Sequence, residues 1–226
     1  MEWQALEISL RLALFTSLLL LPVGIFLGRA LAWKQLPASN WIQSLVFLPL
    51  VLPPTVLGYY FLVVVSGEAP LGQLWYNLFG SQLAFTFEGL LLACILANLP
   101  FAVQPLMHAF GNIDPEIRDA ARVCGLNSWQ ALIRIELPLV WPGLLGAFLL
   151  TFTHTLGEFG VVLMVGGNLE GETRTLAIAI YDQVQAFNMQ AAGQMALLLL
   201  ALAFFSLLLL QWLGQLKVRR QRAGEP

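Results

Sequence analysis

The sequence predicts an all-α membrane protein with five transmembrane helices in a single domain spanning residues 1–226. Three observations predict it. Composition comes first: 58% of residues are hydrophobic and 11% charged, with a mean hydropathy of +0.77, whereas a globular chain is about one quarter charged. Second, five apolar stretches reach or approach the roughly 20 residues that cross a bilayer; they cover about 8–28, 44–65, 87–110, 139–165 and 191–213. Third, the basic residues gather on one side of a five-span topology: Arg29 and Lys34, then Arg118, Arg122 and Arg134, then Lys217, Arg219, Arg220 and Arg222. The other side carries Arg174 with Glu2, Glu7, Glu68, Glu88, Glu170, Glu172 and Asp182, while Arg11 sits just inside the first span. The positive-inside rule places the N-terminus outside and the C-terminus in the cytoplasm.

This composition leaves no room for a separate soluble domain. The expected surroundings are a lipid bilayer, with no nucleic acid. Cys94 and Cys124 show neither metal-ligand spacing nor a disulfide framework. The acidic start M-E-W-Q-A-L-E lacks the basic region of a signal peptide, so the first apolar segment is expected to be retained.

Pro22 and Gly24 in the first span point to a kink or a close contact, in a helix expected to wrap the bundle from its periphery. The second span reads L-P-L-V-L-P-P-T-V-L-G-Y-Y, with Pro49, Pro53, Pro54 and Gly58 within ten positions. Prolines free carbonyl groups, and broken backbone inside a bilayer survives only where protein or water covers it. This segment is therefore expected to face the bundle interior, with Thr55 able to satisfy one freed carbonyl; the alternative is a merely kinked packing helix. The following loop, with Trp75, Tyr76 and Phe79 among glycines, reads as a short interfacial helix or as a surface for an outside partner. The third span holds Asn98, Pro100, Pro105 and His108.

The fourth span passes through F-T-H-T-L-G-E-F-G, where His154 and Glu158 are four apart and are expected to share a helical face. Glu158 is the one acid deep in an expected span, which makes it a candidate for function. The alternative is that it and His154 hydrogen-bond neighbouring helices and hold the bundle together. Gly157 and Gly160, with Thr151, Thr153 and Thr155, offer a small-residue surface for close packing. In the loop beyond, Arg174 can steer an anion, meet a docking protein, or pair locally with Glu170 or Glu172. The fifth span is leucine and alanine, suited to facing lipid.

Between the third and fourth spans runs the longest polar interruption, Asp114 to Pro138. Asp114 can cap a helix with Pro115 in its first position and Glu116 and Asp119 near its positive end. That helix should stop near Gly125, and Asn127 or Ser128 can cap a second one. The product is a helix–turn–helix at the membrane face; a solvated loop with no partner is the plainer alternative.

Asp119-Ala120-Ala121, three residues, Gly125, nine residues, Ile135, one residue and Leu137-Pro138 resemble the EAA loop of ABC-importer permeases, with Asp in place of the usual first Glu. The resemblance implies a type I ABC-importer permease fold in which this loop is a cytoplasmic coupling helix seated in a groove of an ATPase. The coupling residues it implies are Asp114, Glu116, Arg118, Asp119, Ala120, Ala121, Arg122, Gly125 and Leu126. L-P-L-V-L-P-P-T-V-L-G-Y-Y at 48–60, H-T-L-G-E-F-G at 154–160 and G-E-T-R-T at 171–175 are similar to the molybdate subfamily, related to the sulfate/thiosulfate permeases. The implied function is ATP-driven import of molybdate, and tungstate with it, by alternating access in a bacterial inner membrane. The implied partners are a second copy of the chain, two ATP-binding subunits and a periplasmic oxyanion-binding protein.

No P-loop occurs in the chain. It is expected to have no catalytic residues, metal or cofactor of its own, ATP and magnesium being held by the ATPase. The expected path is lined by Pro53, Pro54, Thr55, Thr153, Gly157, Glu158 and Gly160, and the expected docking residues are Trp75, Glu172 and Arg174. A sulfate permease is the near alternative. A secondary transporter would need coupling ionisable groups and usually repeats, and the sequence offers one buried acid and no clear repeat. A membrane scaffold would need neither the broken helices nor the spaced loop pattern.

Overall fold

The computed structural model describes residues 2–34 and 36–223. For Leu210 and 213–223 only the backbone is described, so the side chains of Lys217, Arg219, Arg220 and Arg222, on which part of the expected orientation rests, lie outside it.

The chain is helical throughout its ordered elements. They are α1 (Trp3–Ala32), α2 (Ser39–Phe47), α3 (Pro54–Val65), α4 (Pro70–Phe79), α5 (Phe87–Gly111), α6 (Pro115–Val123), α7 (Ser128–Ala131), α8 (Leu137–Gly157), α9 (Gly160–Gly166), α10 (Leu176–Gln185) and α11 (Met189–Ala223). Among the described residues four runs are long and apolar enough to cross a membrane: Trp3–Ala32, Phe87–Gly111, Ser128–Gly157 and Met189–Leu209. The pair Ser39–Leu50 and Pro54–Val65, bent by 111° at its break, passes the same test together and makes a fifth when counted as one span.

The frame is the packing of α1, α5 and α8 on one another. The sequence reading made α1 a peripheral helix; instead it runs along α5 with a continuous buried stripe that includes Leu12, Thr16, Leu20, Gly24 and Leu31. Gly24 explains the closeness, because a Cβ there would lie 2.9 Å from the Ala102 carbonyl oxygen of α5. The opposite face of α1 shows Leu14, Phe15, Leu18 and Phe26 outward, as a lipid-facing side requires.

Of the apolar cores among the described residues, the two largest lie toward opposite ends of the bundle. One, at the α6 end, gathers Leu106, Phe110, Ile113, Leu132, Val140 and Ala147. The other, toward the far end, joins α1, α3, α5, α9 and α10 through Leu12, Phe61, Leu90, Cys94, Val162 and Ile178. At the far end Ser9 Oγ accepts the Leu176 N–H at 2.8 Å, tying α10 to α1. Arg174 is held there by Glu2 at 3.2 Å, Glu170 at 2.5 Å and Asp182 at 3.0 Å. Of the two local partners expected for it, Glu170 is the one that pairs. The amphipathic α4 forms where a short interfacial helix was expected, and α11 rests on α8 and α10 while Leu197, Leu200, Phe204 and Phe205 face outward.

Candidate functional site

Three places carry the residues singled out by sequence: the α6–α7 loop, the breaks in the second and fourth spans, and the far-end loops.

The loop is built by local chemistry. Asp114 Oδ1 accepts the Glu116 N–H at 2.9 Å, and Pro115 occupies the first position of α6. The helix closes with Leu126 N–H on the Ala121 carbonyl at 3.1 Å and Gly125 N–H on that of Arg122 at 2.9 Å, a Schellman closure with Gly125 at φ +75°. Asn127 and Gln130 then form a reciprocal capping box for α7, at 2.8 and 3.1 Å. Asp114, Glu116, Asp119, Ala120, Arg122 and Gly125 are exposed, with Val123 88% exposed beside them. Arg118, Ala121 and Leu126 turn inward instead, toward a cavity of about 160 Å³ that Arg29, Trp33 and Glu136 also line.

After α7 the chain widens into one π-helical turn, Leu132–Glu136, with the Leu137 N–H reaching the Leu132 carbonyl. Pro138 has no N–H to give to the carbonyl four residues before it, which favours a departure from α geometry here. The turn directs Glu136 inward, where Arg29 grips it through Nε at 2.6 Å and an Nη at 2.9 Å. Glu136 is 4% exposed. Sequence reading did not find this pair: the residues are 107 positions apart, and Glu136 occupied a free position of the loop pattern.

The second and fourth spans both break, and the breaks touch. Pro53 and Pro54 cannot donate to the carbonyls of Pro49 and Leu50, so regular helix stops between α2 and α3. The fourth span ends its first half at Gly157, and Glu158 is extended at φ −66°, ψ 124°. His154 and Glu158 therefore do not share a helical face, because two nearby glycines weaken the helix there. They still meet, with His154 Nε2 3.4 Å from Glu158 Oε2. The other carboxylate oxygen accepts the Val161 N–H at 3.2 Å and so starts α9. His154 stacks on Phe101 with ring centres 4.0 Å apart. A Cβ on Gly160 would lie 2.6 Å from Cβ of Pro54, so only glycine allows α9 to sit on α3 this closely.

Among the expected path residues, Pro53, Pro54, Thr55 and Gly157 are exposed, Gly160 is half-buried and Glu158 is buried. The Thr153 hydroxyl is buried away from them without a hydrogen-bond partner. Thr55 does not take up a freed carbonyl as expected; it points outward. The second span was also expected to face the bundle interior. Within one chain it lies at the edge, with Val51 82%, Leu50 49% and Tyr60 62% exposed, because α3 packs on α9 from one side only.

At the far end Glu172 is exposed. Trp75 packs against the core beside α3 and stacks on Phe79 at 4.2 Å, and Arg174 is enclosed by its three carboxylates. No group of His, Cys, Asp and Glu side chains able to hold a metal occurs among the described residues.

Comparison with known proteins agrees with this architecture. The chain is 43% identical to the molybdenum transport system permease protein of Azotobacter vinelandii over 85% of each chain. It is 36% identical to that of Escherichia coli over 99% of this chain and 97% of the relative. The sulfate transport system permease of Synechocystis is 30% identical over 92% of this chain and 76% of its own length. Among solved structures, a bacterial ABC transporter involved in alginate import matches with a TM-score of 0.73 at 18% identity, covering 96% of this chain and 78% of that one. That likeness shows the fold. Residues 21–220 match the family described as the binding-protein-dependent transport system inner membrane component, and the chain belongs to that family.

Proposed function

We propose that two copies of this chain form the membrane path of an ATP-driven importer that carries molybdate, and tungstate with it, from a periplasmic binding protein to the cytoplasm. The observation that carries the substrate is the likeness to molybdenum permeases over nearly the whole chain. Two ATP-binding subunits supply the energy, holding ATP and magnesium, and this chain contributes no covalent chemistry.

The loop end faces the cytoplasm and the N-terminus faces out, as the basic residues favour. ATP binding draws the two α6 helices together; α8, which continues from the loop, tilts with α6. The breaks at Val51–Pro53 and Glu158–Phe159 let the outer halves α3 and α9 swing as a pair, opening the path outward, and hydrolysis reverses the motion. The path is lined by Pro53, Pro54, Thr55, Gly157, Glu158 and Gly160, with Thr153 behind it.

The exposed break supports homodimerisation. Irregular backbone at membrane depth is not left against lipid, and a two-fold partner bringing the same surface covers it on both copies. The binding protein docks on the far end, where Glu172 is free and Trp75 and Arg174 hold α4 and the loop in place. Uptake into liposomes holding the permease with its ATPase and binding protein, with molybdate, tungstate and sulfate in competition, tests the substrate. Molybdate and tungstate are expected to compete with each other and sulfate to lose; preference for sulfate moves the chain to the sulfate branch.

A further inference from the structure

We infer that Trp33 is a positioning residue for coupling, the clamp through which α6 is held to the ends of α1, α5 and α8. The inference rests on the coupling role proposed for the loop. Trp33 immediately follows α1. Its indole N–H donates to the Phe110 carbonyl of α5 at 3.2 Å, and its ring meets that of Phe110 edge-on at 5.8 Å. The Arg118 guanidinium of α6 lies over the same ring, its central carbon 3.8 Å from the centre, and that of Arg29 lies 4.7 Å away. Arg29 in turn holds Glu136, at the entry to α8. One indole therefore joins α5 and α6 directly and α8 through a single arginine.

The chemistry of the clamp is specific. Glu136 neutralises Arg29, and among the described residues Arg118 has no carboxylate within ion-pair distance, so the indole face is its inward partner. A planar guanidinium stacked on indole fixes both place and orientation, which a sliding apolar contact does not. The 160 Å³ cavity beside these residues means that α6 is not packed continuously onto the body. With Ala121 the one buried residue of α6, the Arg118–Trp33 stack carries much of what links its movement to the spans.

The test uses the assembled permease, ATPase and binding protein in liposomes and measures molybdate moved per ATP hydrolysed, with assembly followed by copurification. Trp33→Leu is expected to assemble and hydrolyse ATP while molybdate per ATP falls about fivefold or more, and Trp33→Phe, which keeps an aromatic face, stays within about twofold of wild type. In an Arg118→Ala background, Trp33→Leu lowers the ratio less than it does in the wild type, because the Arg118–Trp33 stack is already gone. An unchanged ratio in Trp33→Leu overturns the inference. If Trp33→Leu does not assemble, Arg118→Ala, which removes the cation altogether, decides alone: a lowered ratio supports the clamp and an unchanged ratio overturns it. Absence of ATP-dependent uptake in the wild type defeats the importer reading itself, whatever the variants do.

Discussion

Arg29 and Glu136 show how much a single buried pair can fix. The Glu136 side chain is 5% exposed and that of Arg29 16%, so removing one partner strands a charge. Glu136→Ala is expected to cost about 3–5 kcal/mol, read as a lowered Tm of the purified permease, with Glu136→Gln milder because it still accepts from Arg29; equal stability of Glu136→Ala and wild type would show that the guanidinium finds water instead. Neither member of this pair was legible as a partner. Sequence spacing reports neighbours on one helix, and this contact depends on a π turn and a helix crossing that no local pattern encodes. Glu158 stood out in the sequence as the one acid deep in the fourth span, since a carboxylate at that depth is unusual in any sequence, and it is buried there. Its geometry was not legible: a four-residue spacing promised a helical face, and two glycines ended the helix first. Asp114, Pro115 and Gly125 were legible because they act within a few residues of themselves; the second cap was left between Asn127 and Ser128, and the structure gives it to Asn127.

Broken spans are the elements that distinguish this bundle from a plain one. The sequence announced the first break through Pro49, Pro53 and Pro54, and the structure adds that the half beyond it, α3, is locked to the second half of the fourth span, α9, by Pro54 against Gly160. Gly160→Leu is expected to push α9 from α3 and lower stability by about 1–3 kcal/mol through overpacking. Molybdate uptake is expected to fall more than stability does, since the paired halves then move separately; a variant with full uptake contradicts a joint movement. The α1 helix was misplaced by sequence for a simple reason. Its hydrophobicity is nearly uniform around the helix, so periodicity does not tell a lipid-facing side from a core side. What sets its position is close approach at Gly24, where the sequence marked a kink or a close contact but could not name α5 as the neighbour.

For the molecule as a whole, one chain leaves a break and a broad apolar face uncovered, and a second copy is the proposed cover. Val51 is 82% exposed at that break. In a permease with Cys94 and Cys124 replaced by alanine, Val51→Cys is expected to give a cross-linked dimer with a short bis-maleimide, while Phe205→Cys on the outer face of α11 does not; the reverse pattern places the partner elsewhere. The most direct measurement of the central claim, that movement of the α6–α7 loop drives transport, is ATP-dependent molybdate uptake by the liposome-borne complex, comparing wild type with Gly125→Val. A β-branched residue at φ +75° costs about 1–2 kcal/mol and misdirects the turn that presents α6. ATP-driven uptake in the wild type, lost in an assembled Gly125→Val complex that still hydrolyses ATP, is the predicted result; uptake that needs no ATP, or that is indifferent to Gly125→Val, contradicts it.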